Sequence, residues 1–441
     1  MTTIVSAAPV LVSGQHALAW VEETGQVLVD QSGRILYGNG NISYPYPKTT
    51  TAGIQEAINS LPPAGGRILI KAGTYNISNS ITVTGSYVEI EGETGLGVIL
   101  SNKISTSGDA LLSYVGTSGS HIDGPFLKNL FLQGNSDAGH GLMLQYCNNP
   151  DLRNVYIENF VGYGLAIKTV NDGYFGNINL YGCGDATNLY EQLYIDSFSD
   201  ASFYYLAAST PSYTNIHLVN AADINFYGTA IGTTATDANT QVLLDNGGPN
   251  RILFSGLDIY GGGTSCDAII DNGDLILYSG LRINNCAGNG YVKNAGGGSA
   301  LISGYQASGQ SSSAKMSNMI DLTSGTTGNV TVNGLYATNV STVATYNAPG
   351  SYVLIRGSIP APGWLTAPAV PAGTGSTYEV QNTFPYSVIV EAMSSPSGTH
   401  IVDANGTDEL VADNLLQYLQ PKEKIYYATT VPSSWKWKAL T

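Results

Sequence analysis

Charge is what this sequence has least of. Only 11% of its 441 residues are Asp, Glu, Lys or Arg, less than half the usual share of a globular chain. A soluble surface must therefore be built from Ser, Thr, Asn, Gln and Tyr, which suits an extracellular protein. Basic residues are the scarcer kind, 17 against 32 acidic ones, for a formal net charge of -15. Nucleic acid needs a basic footprint and is not expected as a partner. No run of 18 apolar residues occurs, so no helical membrane span is expected. Cysteine is also sparse. Cys147, Cys183, Cys266 and Cys286 form no CxxC pair, so a zinc site is not expected and no cofactor is implied. Buried thiols are the plain reading.

What is abundant is Gly, with 53 residues, and Tyr, with 29. The first 48 residues read as a separate anchor or hairpin segment. In it Val27-Leu28-Val29 and Arg34-Ile35-Leu36-Tyr37 flank a turn at Asp30-Gln31-Ser32-Gly33. One short helix follows, with Ile54, Ala57, Ile58 and Leu61 on a single apolar face. Pro62-Pro63 stops it and Gly65-Gly66 turns the chain into short strands. A lone amphipathic helix ahead of many strands reads as a cap on the open end of a solenoid.

Ile54-Gln55-Glu56-Ala57-Ile58-Asn59, then Gly65-Gly66-Arg67-Ile68-Leu69-Ile70, then Ala72-Gly73-Thr74-Tyr75 resembles the opening of the pectin-lyase-like superfamily. Lys71 stands where many relatives carry proline. The resemblance implies an all-β fold, a right-handed parallel β-helix over residues 49–359, of the kind used by polysaccharide-active enzymes, viral tailspikes and surface adhesins.

Periodicity supports the rest of the solenoid. A motif of Asn or Gly followed by apolar-any-apolar recurs from Asn129, Asn154, Asn177, Asn215, Gly256, Gly280, Gly304 and Gly334. Its base period is about 24 residues, with wider steps around Asn215, as stacked coils predict. Asn and Gly suit a corner with left-handed backbone angles. After Arg356 the pattern stops. Residues 360–377 read as a linker and 378–441 as a small C-terminal β-sandwich.

Stacking places equivalent residues about 4.8 Å apart, so outward positions become ladders. The first ladder reads Phe131, Tyr156, Asn179, His217, Asp258, Arg282, Gln306, Tyr336. Aromatic ends and a polar middle suit a glycan groove; a solvated surface ion pair or a subunit interface are the alternatives. A second ladder offers Asp245 and Asp271 one coil apart, then Lys293 and Asp321. Two carboxylates about 5 Å apart match a retaining glycosidase pair. The same pair could hold calcium, or simply belong to Asp-Asn-Gly turns. Trp435 and Trp437 share one strand face, as sandwich core or as an exposed aromatic platform.

Gly139-His140-Gly141 matches a polygalacturonase-like motif, but the acidic motifs that family requires upstream are missing. The N-terminus, Met1-Thr2-Thr3-Ile4-Val5-Ser6, lacks the basic start of a secretory signal. The expectation is therefore a virion-surface or extracellular spike that recognises host-surface polysaccharide or glycoprotein. It would assemble as a homo-oligomer, most simply a trimer, and contact other virion proteins through its N-terminal segment. A polysaccharide lyase or glycoside hydrolase on the same fold, and a purely structural surface protein, are the alternatives.

Overall fold

The computed structural model describes residues 17–21, 27–30, 50–59, 61–70, 72–105, 108–135, 139–211, 213–233, 240–245, 250–293, 298–311, 313–322, 329–346 and 352–356. Beyond these it describes the strands of residues 380–439. The chain folds as a right-handed parallel β-helix of about ten coils. Consecutive coils pair in parallel and in register, as in Asp258 with Arg282 and Arg282 with Gln306.

The alternation of each strand builds the core. Ile178, Leu180, Leu257, Ile259, Leu281 and Ile283 are buried, while Asn179, Asp258 and Arg282 between them point outward. Register then stacks identical inner residues. Phe175, Phe203, Phe226, Phe254 and Tyr278 form one interior aromatic ladder, with centroids 4.3, 4.7, 4.7 and 5.4 Å apart. All four rings below Tyr278 and Tyr278 itself are fully buried, and aromatic burial on this scale dominates core energetics.

The corner before each outward ladder residue is left-handed, as expected. Asn129, Asn154 and Asn177 have φ of 56, 53 and 54°, and Gly256, Gly280, Gly304 and Gly334 have 76, 72, 68 and 77°. Their side chains link coil to coil where they can: Asn154 donates to Asn129 and Asn177 to Asn154, each at 3.0 Å. Asn215 is not part of this column. The missing corners are Tyr205, at φ 59°, and Gly228, at 67°. With these two in place the wide steps around Asn215 disappear. Asn215 is instead buried in an interior amide ladder, accepting from Gln192 at 2.8 Å and donating to Gln241 at 2.6 Å.

The helix Ile54–Asn59 buries Ile54, Ala57 and Ile58 in the solenoid core. Gln55 donates to the Thr82 carbonyl at 2.9 Å and accepts the Thr82 N–H at 2.7 Å. Its side-chain amide thus stands in for a neighbouring strand along that edge. The strand Ala17–Val21 pairs antiparallel with Val27–Asp30 and in parallel with Gly66–Ile70. The hairpin expected around residues 30–33 has its second strand outside the described residues.

The C-terminal strands form a four-stranded and a three-stranded antiparallel sheet. The second pairs Trp435–Ala439 with Val388–Ala392. The side chains of Trp435 and Trp437 lie outside the described ones. Cys147, Cys183, Cys266 and Cys286 are all buried thiols, none of them in a disulfide. Burial pushes the Cys147 and Cys183 thiols up to about 12. No helix of the described residues is long and apolar enough to cross a membrane.

Candidate functional site

The first outward ladder is shorter in chemistry than the sequence suggested. Register runs Phe131, Tyr156, Asn179, Ala207, Ala230, Asp258, Arg282, Gln306, Tyr336. Ala207 and Ala230 leave two blank coils in its middle, and His217 is absent from it. Phe131 and Tyr156 meet edge to face at 4.9 Å, beside a hollow of about 370 Å³ lined by Leu96, Asn154, Asn177 and Asn179. Asp258 and Arg282 form a surface ion pair, worth at most about 1 kcal/mol. Gln306 closes the shallow trough above them, with Gly256, Gly280 and Gly304 along its floor. Tyr336, at the end of the ladder, is exposed.

The second ladder requires a correction. Leu244, not Asp245, is the register partner of Asp271. Asp271 therefore takes an inward position and is fully buried, hydrogen-bonded to Lys293, which is buried with it. Asp245 lies one residue further on, with its side chain 46% exposed. The two carboxylates do not form an outward pair, and neither the retaining-glycosidase spacing nor a shared calcium applies to them. Asp321 is buried on the outward side of its strand, opposite Val292. Among the described residues no three His, Cys, Asp or Glu side chains are grouped to hold a metal.

The structure assembles a different constellation around His217. Ala166, Tyr194, His217 and Leu243 are successive outward residues of one sheet. Glu191 precedes the Tyr194 strand, and its Oε1 lies 2.7 Å from His217 Nδ1. His217 Nε2 faces Asp245 Oδ2 at 3.5 Å. Side-chain exposure rises along this row, 4% for Glu191, 14% for His217 and 46% for Asp245. The row thus runs from a buried carboxylate to the solvent. Glu191 Oε2 is buried with no hydrogen-bond partner, a costly state for a carboxylate oxygen.

Tyrosines frame this row. Tyr163 and Tyr194 stack at 4.9 Å, and Tyr194 meets the His217 ring edge-on at 5.5 Å. Lys168 Nζ lies 5.3 and 5.5 Å from the Tyr163 and Tyr194 ring centroids, within cation–π range. Burial, and then the nearby Glu191 charge, raises the Tyr163 phenol pKa. Burial and then Asp196 raise that of Tyr194. Both therefore stay protonated hydroxyl donors. His140 stacks on Tyr163 at 4.9 Å, and its Nδ1 accepts the Tyr163 N–H at 2.9 Å. Burial, reinforced by Lys168, lowers His140 to about 4. Gly162 makes this seat possible, since a Cβ there would lie 2.1 Å from His140 Nδ1. His140 is thus a buried, neutral support beneath the tyrosines.

Two capacities follow. With Nδ1 donating to Glu191, Nε2 keeps a lone pair, the orientation a general base needs, though Nε2 itself is buried without a hydrogen-bond partner. Around it stand hydroxyl donors, a cation and carboxylate acceptors, which together suit a hydroxyl-rich ligand. The stacked tyrosines offer edges and hydroxyls rather than faces, because each face is already covered by the neighbouring coil. Glu191, Lys168, Tyr163, Tyr194 and Asp196 were not singled out from the sequence. The signal was present in Leu193-Tyr194-Ile195-Asp196, which repeats Leu165-Ala166-Ile167-Lys168 one coil on.

No protein-family model matches the chain, and no curated protein sequence does. Solved structures do. ORF18 of Geobacillus virus E2 is 14% identical, with a TM-score of 0.54 over 88% of this chain and 72% of that one. The tailspike protein gp49 of Pseudomonas phage LKA1 is 12% identical, with a TM-score of 0.51 over 88% of this chain and 92% of that one. The enzymatically active domain of tailspike protein 2 of bacteriophage CBA120 is 13% identical, with a TM-score of 0.50 over 87% and 69%. At these identities the likeness is one of fold, and it agrees with the coils and corners described above: the chain is a right-handed parallel β-helix, a fold it shares with these phage proteins.

Proposed function

We propose that the protein is a virion-surface spike or adhesin that recognises host-surface glycans. The observation that carries this reading is the outward cluster of Tyr163, Tyr194, Lys168, Glu191, His217 and Asp245. It concentrates polar and charged groups, one of them a buried carboxylate oxygen without a partner, on a chain otherwise poor in charge. The fold it shares with phage tailspikes supports the setting but does not choose a function. In this reading the spike is a homotrimer, with Tyr156, Asp258, Arg282, Gln306 and Tyr336 as a secondary contact line. The N-terminal segment joins it to other virion proteins, and the C-terminal sheets, with Trp435 and Trp437, form a sandwich at the tip. Mass by light scattering of the full chain tests the trimer.

The binding test uses arrayed bacterial capsular and O-antigen polysaccharides. Tyr194→Ala and His217→Ala are expected to lower affinity by about tenfold or more, or ~1.4 kcal/mol. Unchanged binding by both variants would move recognition elsewhere.

One observation favours a second reading, in which the cluster also turns the glycan over. Glu191 orients His217 as a general base, and Lys168 could neutralise charge developing on the substrate. A bound polysaccharide that gains reducing ends or an ultraviolet-absorbing double bond, in the wild type and not in Glu191→Gln, supports lyase or hydrolase action. Binding without either product restricts the site to recognition.

A further inference from the structure

Asp271 and Lys293 are register partners on adjacent coils. Their side chains are 0% and 1% exposed, so no ligand reaches them. Asp271 occupies the inward position that Leu244 fills one coil earlier, and buried Tyr278, Tyr291 and Ile269 belong to the same core. Lys293 Nζ lies 3.1 Å from Asp271 Oδ1 and also donates to the Gly273 carbonyl. The Gly273 N–H donates to Oδ1 at 2.8 Å. The Tyr291 hydroxyl donates to Oδ2. Oδ1 thus has two donors and Oδ2 one.

A pair of full charges in such a place is poorly justified as an ion pair. Withdrawing each from water costs several kcal/mol, and mutual attraction often fails to recover it. Burial raises the Asp271 pKa, and Lys293 and Tyr291 only partly oppose it. Moving one proton from Nζ to the carboxylate removes both charges. It also leaves a neutral amine, which is a nucleophile, against a neutral carboxylic acid. Groups brought into near-attack geometry react with effective molarities of roughly 10⁵ M or more.

We propose that Asp271 and Lys293 condense into an amide that covalently joins two coils. Nζ forms a bond to Asp271 Cγ, and the Cγ–Oδ2 bond breaks. Oδ2 leaves as water, carrying the acid proton and one proton released by Nζ. That second proton passes from Nζ to Oδ2 within the tetrahedral intermediate, while the Tyr291 hydroxyl hydrogen-bonds Oδ2 as it leaves. The Gly273 N–H holds Oδ1 where negative charge develops in the tetrahedral intermediate. Nothing is oxidised or reduced, and no metal or cofactor takes part. The product is a neutral, hydrogen-bonded group in the core. It closes one coil, spanning the 22 positions from Asp271 to Lys293, and staples the rod against unzipping between those coils.

The intact mass of the full chain tests this directly. The wild type is expected to weigh one water less than its sequence. Proteolysis should release a branched peptide in which the Lys293 side chain is joined to Asp271. Lys293→Arg should restore the full mass, and Tyr291→Phe should leave a larger uncrosslinked fraction. A wild-type chain at its full sequence mass overturns the proposal. So does a missing water that maps to a linear peptide across Asp271-Asn272-Gly273, which would be a cyclic imide.

Discussion

Two clusters of ionisable side chains lie on the same sheet of this solenoid, and they face opposite ways. Around His217 the groups point outward, and their exposure rises from Glu191 to Asp245. At Asp271 and Lys293 they point inward and are sealed. A single residue of register separates the two situations, since Leu244 rather than Asp245 precedes Asp271 in its column. In a strand one step turns every side chain to the other face. The same residue type therefore becomes a groove element in one coil and a core element in the next. The outward cluster reaches solvent at Asp245, whereas the inward one is sealed on every side.

The largest expected difference between the clusters is in stability. Asp271→Ala leaves Lys293 without its partner and should cost about 3–5 kcal/mol, read by denaturant unfolding. A cost below about 1 kcal/mol would place the pair in contact with water. Next comes His140, which supports the outward cluster from beneath. Its folded value of about 4 lies below the ordinary 6.5, so the unfolded chain binds its proton first as pH falls. Stability should therefore drop between pH 6.5 and about 4, by roughly 3 kcal/mol, and level off below. Replacing His140 with Gln should flatten that part of a pH series of unfolding midpoints; an unchanged slope would mean that other groups cause it.

Smaller effects fall on the solvent side. Lys168→Met should leave the unfolding midpoint within about 0.5 kcal/mol of wild type while weakening glycan binding. A variant that binds normally would separate the tyrosines from the cation in the recognition argument. Smallest is Arg282→Ala, which breaks an exposed pair and should change stability by less than about 1 kcal/mol. A greater loss would mean that the trough it lines is covered in the assembled protein.

Much of the architecture was legible without the structure. The helix of Ile54, Ala57 and Ile58, the left-handed corners at Asn129 through Gly334, and the buried Leu257, Ile259, Leu281 and Ile283 all follow from local rules. Those rules are helical spacing, tolerance of positive φ and strand alternation. The ladder containing His217 was misread because Asn215 has the residue type of a corner but the surroundings of a core amide. Of the two corners that should have been counted, Tyr205 has a residue type that rarely adopts φ 59°, while Gly228 at φ 67° was passed over once Asn215 had been taken for a corner. Asp245 and Asp271 were equated because each follows a three-residue apolar run, Val242-Leu243-Leu244 and Ala268-Ile269-Ile270. The strands before them differ, Val242–Leu244 in one case and Asp267–Asp271 in the other, so the first aspartate falls after its strand and the second ends one.

By itself, then, the sequence determined that the chain coils, where most of its corners fall and which residues of each strand seek the core, because these depend on neighbours a few positions away. Only the tertiary structure decided which coil stacks on which residue of the next. It brought Glu191, His217 and Asp245 into one outward row and turned Asp271 toward Lys293 inside. Those contacts join residues more than 20 positions apart, and each depends on the length of every corner between them.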